Sequence, residues 1–176
     1  MSSAKSPLLT PTDLHDTLQA ALIEVGENAY FVFVEPCDAG TFTTLAEQER
    51  DKSHRDAPVA WLMASVRFTG AFSGSVEIVL PERLGHWLVA SLLGMTPDDP
   101  LPDAQVFDGV GEFANMVCGA WLSRVGDQSL FELKVPAVTR MASDWNPVAD
   151  GRGREEVMCR MVALNDSPMR IRVRAQ

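Results

Sequence analysis

The sequence predicts a layered α/β domain of the α+β type, in which long helices pack on a mostly antiparallel sheet. Apolar residues recur at helical spacing in three segments, which indicates three amphipathic helices. Strand-like segments come in pairs separated by helices, and this pattern favours an antiparallel sheet. The chain has 176 residues, the usual size of one domain. We expect a flexible N-terminal tail over residues 1–9 and a single domain over residues 10–176.

The first part of the chain predicts a helix, a strand and a polar loop. Capping residues around Thr10 precede apolar residues at helical spacing, and the first helix is expected to end near Gly26. The aromatic and β-branched run from Tyr30 to Val34 indicates a strand. Residues 37–58 are polar and carry opposite charges in close succession, which predicts a long solvated loop with room for one short helix.

The rest of the chain predicts a hairpin, two helices, a further strand and a second hairpin. Period-two alternation of apolar and polar residues indicates the strands, and proline and glycine residues mark the helix boundaries. The expected bounds are Trp61–Phe68 and Ser75–Leu80 for the first hairpin, Pro81 to Gly94 and about Asp103 to Val125 for the helices, Phe131–Val135 for the strand, and Glu156–Leu164 with Met169–Arg174 for the second hairpin.

The last predicted strand carries alternating arginines. Arg170, Arg172 and Arg174 alternate with apolar residues, so we expect them to face solvent and to protect an exposed edge of the sheet. A homodimer formed by pairing at that sheet edge is the alternative, and the residues alone leave both interpretations open.

The charge balance and the cysteine pattern exclude several classes of function. The chain has 24 acidic and 15 basic residues and a formal net charge of -9. This balance argues against nucleic acid as a partner and against adsorption to an anionic membrane, since both depend on Lys and Arg. The three cysteines form no CxxC pair, so neither a zinc site nor a disulfide framework is indicated. With a polar N-terminus and no apolar run long enough to span a membrane, the chain is expected to be cytoplasmic.

The longest predicted helix carries the most information about function. At about 100° per residue, four of its residues fall within roughly 60° of one another: Asp108, Glu112, Asn115 and Gly119. The other positions are mostly apolar, so the helix is expected to be largely buried, with Cys118 in the core. The narrow polar strip is therefore where this helix meets water or a partner.

The residues of this strip are poor choices for helix stability. Asp108 and Glu112 are four residues apart and repel each other slightly, and Gly119 in mid-helix costs about 1 kcal/mol relative to Ala. Such departures are expected where function overrides stability, and the missing side chain of Gly119 would let another backbone approach. Most Glu-x-x-Asn pairs on helices are nevertheless ordinary solvated surface, so spacing alone leaves both interpretations open.

The same helix resembles the signature of the CheC/CheX/FliY family of chemotaxis phosphatases. The residues that carry the resemblance are Glu112-x-x-Asn115-Met116-x-x-Gly119, preceded by Asp108-x-x-Gly111. The hairpin at Phe68-Thr69-Gly70 and the helix that ends in Leu92-Leu93-Gly94 also resemble the family. The resemblance extends from about Val66 to Pro136.

The number of motifs indicates the branch of the family. Members of the CheC type carry two Glu-x-x-Asn (ExxN) motifs. The first helix of this chain reads Glu24-Val25-Gly26-Glu27-Asn28 and has no such motif, so only one site is present. The chain therefore resembles the CheX branch.

The resemblance implies a CheX-like fold and a hydrolase activity in chemotaxis or other two-component signalling. The substrate would be the aspartyl phosphate of a CheY-like response-regulator receiver. Asn115 would position the attacking water, and Glu112 would dock on a receiver lysine. Mg²⁺ would be supplied by the receiver, so no cofactor or metal of the chain's own is expected.

The remaining motif residues would contact the partner, and two other functions stay open. The expected contacts are Asp108, Gly111, Met116 and Gly119. The first alternative is a non-catalytic module of the same fold that binds a receiver or a component of the flagellar switch. The second is a structural α/β protein in which the polar strip is only solvated.

Overall fold

The structure, a computed structural model, describes residues 11–52, 60–126, 129–142, 145–148, 156–163 and 166–175. The tail predicted at residues 1–9 lies outside these ranges. The helices are α1 (Pro11–Tyr30), α2 (Ala39–Lys52), α3 (Glu82–Leu92) and α4 (Asp103–Val125). The strands are β1 (Glu35–Pro36), β2 (Trp61–Thr69), β3 (Gly74–Pro81), β4 (Glu132–Leu133), β5 (Ala137–Arg140), β6 (Glu156–Ala163) and β7 (Ser167–Ala175).

The described strands form one sheet in which every pairing is antiparallel. Their order is β1-β6-β7-β3-β2-β4, and β5 also pairs with β2. Strands β2 and β3 form the first predicted hairpin, with Trp61 opposite Pro81 and Phe68 opposite Gly74. The combination of long helices with an antiparallel sheet confirms the predicted fold class.

Helices α1, α3 and α4 cover one face of the sheet. Alternate strand residues point into this layer, and on β3 these are Val76, Ile78 and Leu80, all of them fully buried. Burying each such side chain contributes about 1.5–3 kcal/mol. Helix α4 begins and ends where the sequence predicted. Pro102 precedes it and Gly126 follows it. Among the helices of the described ranges, none combines the length and the apolar character that crossing a membrane requires.

Helix α2 covers the opposite face of the sheet, where the sequence predicted a long loop. It packs Phe42 and Ala46 against Trp61 and Val79 of the sheet. The prediction over residues 37–58 allowed one short helix, but α2 is 14 residues long and buries part of its surface, so the prediction of a solvated loop was wrong for the part that α2 occupies. The length of the helix was missed because most of its surface is polar, and a narrow apolar stripe gives little periodic signal.

A buried carboxylate ties α2 to α3. Glu49 is fully buried, three residues after Ala46 on the inward side of α2. Arg83 of α3 donates a hydrogen bond from Nε to Glu49 Oε2 at 2.7 Å, and its Nη2 also pairs with this carboxylate. A charged residue on the inward side of α2 weakens the apolar pattern further, which explains why the sequence favoured a loop.

Strand β7 lies between β3 and β6, so the prediction that its arginines protect an exposed edge was wrong. Arg170 and Arg172 are each 3% exposed. The Arg170 guanidinium lies over Trp145, 5.9 Å from the ring centroid, and Arg172 Nε donates to Glu77 Oε2 at 3.0 Å. Arg174 Nη1 donates to the other oxygen of Glu77 at 3.1 Å. Both sides of β7 are occupied, so this strand cannot pair with a second chain.

Helix α1 is longer than predicted, and the strand expected after it is absent. The helix continues beyond Gly26 to Tyr30. Phe31 then adopts a left-handed backbone conformation with φ 55°, and the Val32 N–H donates to Gly26 O at 2.9 Å. The chain therefore turns back over the end of α1, and the only strand in this region is the two-residue β1.

Strand β2 pairs with β4 and β5 in addition to β3, whereas the sequence predicted β3 as its hairpin partner. The strand expected at Phe131–Val135 is reduced to β4, in which Leu133 pairs with Phe68. Strand β5 lies between the expected strand Phe131–Val135 and the second expected hairpin, where the sequence predicted no element, and its Arg140 pairs with Leu62. Four residues are too few to give a recognisable alternation, so β5 depends on the partner that β2 offers.

We expect Glu77→Ala to destabilise the protein because Arg172 would stay buried without the carboxylate that pairs with it. The free energy of unfolding should fall by about 3 kcal/mol, as is usual when one partner of a buried ion pair is removed. Urea denaturation followed by circular dichroism measures this change. The control is Glu132→Ala, which removes an exposed carboxylate paired with Lys134 and should leave the urea midpoint unchanged. Equal midpoints for the two variants would contradict the structural role of the buried pair.

Candidate functional site

Helix α4 exposes one ridge along its middle, beside a buried side that packs into the fold. Nine of its residues are buried, on the sides that face the sheet and the neighbouring elements. Asp108 and Glu112 are exposed, and Asn115 and Gly119 are partly exposed. These four residues, called the α4 ridge below, are the predicted polar strip, and the structure brings them together on one accessible side of the helix.

Glu112 and Asn115 stand next to each other on this ridge. Asn115 Nδ2 lies 3.5 Å from Glu112 Oε2, at the upper limit of hydrogen-bond length. Within the described residues, neither side chain has another hydrogen-bonding partner. The Glu112 carboxylate is exposed and the Asn115 amide partly exposed, so both can reach a group on another molecule.

Tyr30, at the end of α1, lies close to Glu112. Its ring packs edge-to-face on Phe113 with 5.0 Å between the ring centroids, and the residue is fully buried. Burial, and then the negative charge of Glu112, raise the pKa of Tyr30 to about 12. The phenol is therefore uncharged at any physiological pH. Sequence reasoning missed this residue because it was expected to begin a strand rather than to end a helix.

Two glycines of α4 allow neighbouring elements to approach both sides of the ridge. A Cβ atom at Gly109 would lie 2.4 Å from Val89 Cγ2 of α3, and one at Gly111 would lie 3.3 Å from Pro136 Cβ. Gly111 was expected to contact a partner. It is buried, and its missing side chain makes room for Pro136 of the same chain, so we leave it out of the partner surface.

Gly119 differs from these two glycines because its side is open. Among the described residues, no neighbouring atom lies within 4 Å of the position that its Cβ would take. A glycine inside a helix costs about 1 kcal/mol relative to Ala, and no contact in the described part of the chain offsets that cost. The open space beside Asn115 leaves room for another backbone to come close.

The other residues singled out in the sequence divide between surface and core. Asp108 is exposed, whereas Met116 is partly buried and packs against the core. Cys118 is fully buried, as predicted, and burial raises the pKa of its thiol to about 12, so the thiol stays neutral. Within the described ranges, no group of three or more His, Cys, Asp or Glu side chains could hold a metal ion.

A family comparison identifies the class of protein. Residues 62–148, about half of the chain, match the family model described as "Chemotaxis phosphatase CheX". With this match and this fold, the chain belongs to the CheC/CheX/FliY family. Within the family it lies on the CheX-like branch. No curated protein sequence matches it significantly.

Solved structures share the fold at low sequence identity. The chemotaxis protein CheX from Vibrio vulnificus is 17% identical, with a TM-score of 0.67 over 95% of this chain and 99% of that one. A chain of the CheX-CheY-BeF3-Mg complex from Borrelia burgdorferi is 12% identical, with a TM-score of 0.52 over 81% of this chain and 99% of that one. FliY from Thermotoga maritima is 14% identical, with a TM-score of 0.56 over 98% of this chain and 92% of that one.

The same substitution at two glycines of α4 should change stability in opposite directions. We expect Gly119→Ala to raise the free energy of unfolding by about 0.5–1 kcal/mol, because the new methyl group enters open space and the unfolded chain loses entropy. Gly109→Ala should lower it by about 1–3 kcal/mol, because the methyl group would overlap Val89. Urea denaturation of the two variants measures both changes. Stabilisation by both substitutions, or by neither, would show that the packing around α4 is not as described.

Proposed function

We propose that this chain hydrolyses the aspartyl phosphate of a CheY-like response-regulator receiver, with Glu112 and Asn115 as its catalytic residues. The observation that carries the proposal is that these two side chains stand 3.5 Å apart on the exposed ridge of a helix whose opposite side is buried. Membership of the chemotaxis phosphatase family supports the reaction. The complex of a related CheX with CheY, BeF3 and Mg supports the class of partner.

Asn115 suits the task of placing the attacking water. Hydrolysis of an aspartyl phosphate needs a water molecule in line with the bond that breaks. An amide can hold that water because it both donates and accepts hydrogen bonds, and it carries no charge. A carboxylate in the same place would repel the phosphoryl oxygens. Orientation of this kind can lower a reaction barrier by several kcal/mol.

Glu112 suits the task of docking. It lies one helical turn before Asn115, so a lysine beside the receiver's phosphoryl group would meet its carboxylate while the amide faces the phosphorus. An exposed ion pair contributes little in water. Once docking excludes water, the same pair is stronger, and it fixes the register of the two proteins.

The other groups that the reaction needs belong to the substrate. The receiver would supply the aspartate that carries the phosphoryl group, and its lysine and Mg²⁺ would neutralise the phosphoryl oxygens. The chain's own contribution is the amide of Asn115 and the carboxylate of Glu112.

The rest of the partner surface extends along the α4 ridge. Asp108 adds a negative charge at one end, and Gly119 leaves room for the receiver backbone at the other. Only the exposed part of Met116 contributes. The proposal places the chain in the cytoplasm with its receiver, and a homodimer would have to use a sheet edge other than the interior strand β7.

We expect Asn115→Ala to slow receiver dephosphorylation at least about 100-fold, with binding largely retained, because the water-positioning amide is lost. Asn115→Asp should be as inactive, because its charge repels the phosphoryl oxygens. A receiver phosphorylated by a small-molecule donor with Mg²⁺ is mixed with each variant, and phosphate loss is followed over time. The control is Gln48→Ala, which removes an exposed amide on α2 and should keep full activity.

Two results of this experiment would contradict the assignment. Equal rates for the wild type and Asn115→Ala would exclude Asn115 as the residue that places the water. Binding of every tested receiver by the wild type without phosphate loss would instead support the non-catalytic binding module.

We expect Glu112→Ala to weaken receiver binding at least about tenfold, because a carboxylate that pairs with lysine in the interface is removed. Isothermal titration calorimetry with a receiver loaded with Mg²⁺ and BeF3 measures the Kd. Glu112→Gln should weaken binding to a similar degree, since it keeps the shape but not the charge. The control is Glu47→Ala, an exposed glutamate on the opposite face of the protein. A Kd that Glu112→Gln leaves unchanged would count against the ion pair.

A further inference from the structure

Exposed apolar side chains cluster where the ends of α1 and α3 meet. Ser91 Oγ donates a hydrogen bond to Tyr30 O at 2.8 Å and joins the two ends. Phe31, the next residue after Tyr30, is 75% exposed. Leu92 and Leu93, which follow Ser91, are 44% and 47% exposed. Three large apolar side chains therefore face solvent within a few residues of one hydrogen bond.

The backbone holds these side chains outward. Phe31 has φ 55°, a left-handed conformation that is unfavourable for a bulky L residue. Gly94 has φ 66° and ends α3, after which the Met95 N–H donates to Ala90 O at 2.8 Å. Met95 is 36% exposed as well. Strained backbone is often found at functional sites, and this backbone leaves most of the Phe31 side chain exposed.

This apolar surface adjoins the α4 ridge on one side. Tyr30 packs on Phe113, the residue that follows Glu112. Helix α3 approaches α4 closely at Gly109, one turn before Glu112. The cluster at the helix ends and the ridge are therefore parts of one surface.

A further exposed apolar residue lies on the other side of the ridge. Pro136 contacts the position of the missing Gly111 side chain on α4. Val135, the residue before it, is 91% exposed. The α4 ridge thus has apolar side chains on both flanks. We call these side chains the apolar collar, and they are Phe31, Leu92, Leu93, Met95 and Val135.

The charges of the ridge indicate which partner can cover the collar. A symmetric contact between two copies of this chain would bring Asp108 and Glu112 of one copy close to the same two acids of the other. Like charges in an interface are unfavourable, and the chain has a net charge of -9. A receiver with a lysine beside its phosphoryl group has the complementary charge. It would also cover both flanks when it docks on the ridge.

We propose that the apolar collar is the surface on which the phosphorylated receiver packs around its active site, and that it keeps bulk water away from the Glu112 carboxylate. This inference depends on the proposed function. A ring of apolar contacts around a few polar groups is how interfaces keep water from their central interactions. The receiver must then present apolar side chains around its phosphorylated pocket.

The test uses Phe31→Asn and Leu93→Ser, separately and together. Asparagine tolerates the left-handed backbone at position 31, so this variant should fold at least as well as the wild type. We expect the double variant to raise both the Kd for the Mg²⁺- and BeF3-loaded receiver and the KM for the phosphorylated receiver about tenfold, with little change in kcat. The control is Val148→Ser, which changes a 40% exposed apolar residue next to Pro147, whose carbonyl accepts a hydrogen bond from Arg170 on the face of the sheet away from α4.

The results of these measurements distinguish a failure of the collar proposal from a failure of the proposed function. An unchanged Kd and KM for the double variant, with Asn115→Ala still inactive, would overturn the collar and leave the function standing. Dissociation of an oligomer by the double variant, measured by light scattering, with unchanged receiver binding would show that a second copy covers the collar and would also overturn it. A wild-type chain that binds no phosphorylated receiver would overturn both.

Discussion

The burial of α4 is the constraint on which the geometry of the site depends. Nine of its residues are buried, and Gly109 and Gly111 let α3 and the segment around Pro136 close in on it. The helix therefore cannot turn another side to solvent without breaking these contacts. The α4 ridge is what remains open along its middle, and one helical turn sets the spacing of Glu112 and Asn115. The placement of the two side chains is thus a consequence of core packing.

The two faces of the sheet support this site in different ways. On the face away from α4, Glu77 of β3 is the direct cross-strand partner of Arg172 of β7. A shift of this pairing by one residue would turn the arginine into the apolar layer under α4, which is prohibitively unfavourable. Buried ion pairs add little net stability, because dehydrating the charges is costly. Their contribution here is to fix the register of the strands that carry the helical layer.

The sequence predicted the elements whose apolar pattern is strong and missed those that depend on distant residues. Helix α4 and its polar strip follow from helical periodicity, so Glu112 and Asn115 could be found from spacing. Strand β5 depends on β2, and the burial of Arg170 depends on Trp145, which is remote in the sequence. The β propensity of the residues after Tyr30 indicated a strand, but the left-handed backbone of Phe31 turns the chain. Tyr30 and Phe31 were missed for the same reason, because their positions depend on where α1 ends beside α4.

The surroundings of Glu112 indicate that its carboxylate would form a strong ion pair only when a partner is bound. In the free chain its carboxylate is exposed and hydrated, so an ion pair there would contribute little. Its charge is nevertheless felt by the buried phenol of Tyr30, so a poorly solvated region already lies on one side of it. A receiver seated on the apolar collar would remove water from the other side, and a low dielectric strengthens the interaction of the carboxylate with lysine. Apolar contacts far from the phosphorus would then strengthen the binding of the receiver and fix the register in which the Asn115 amide meets it.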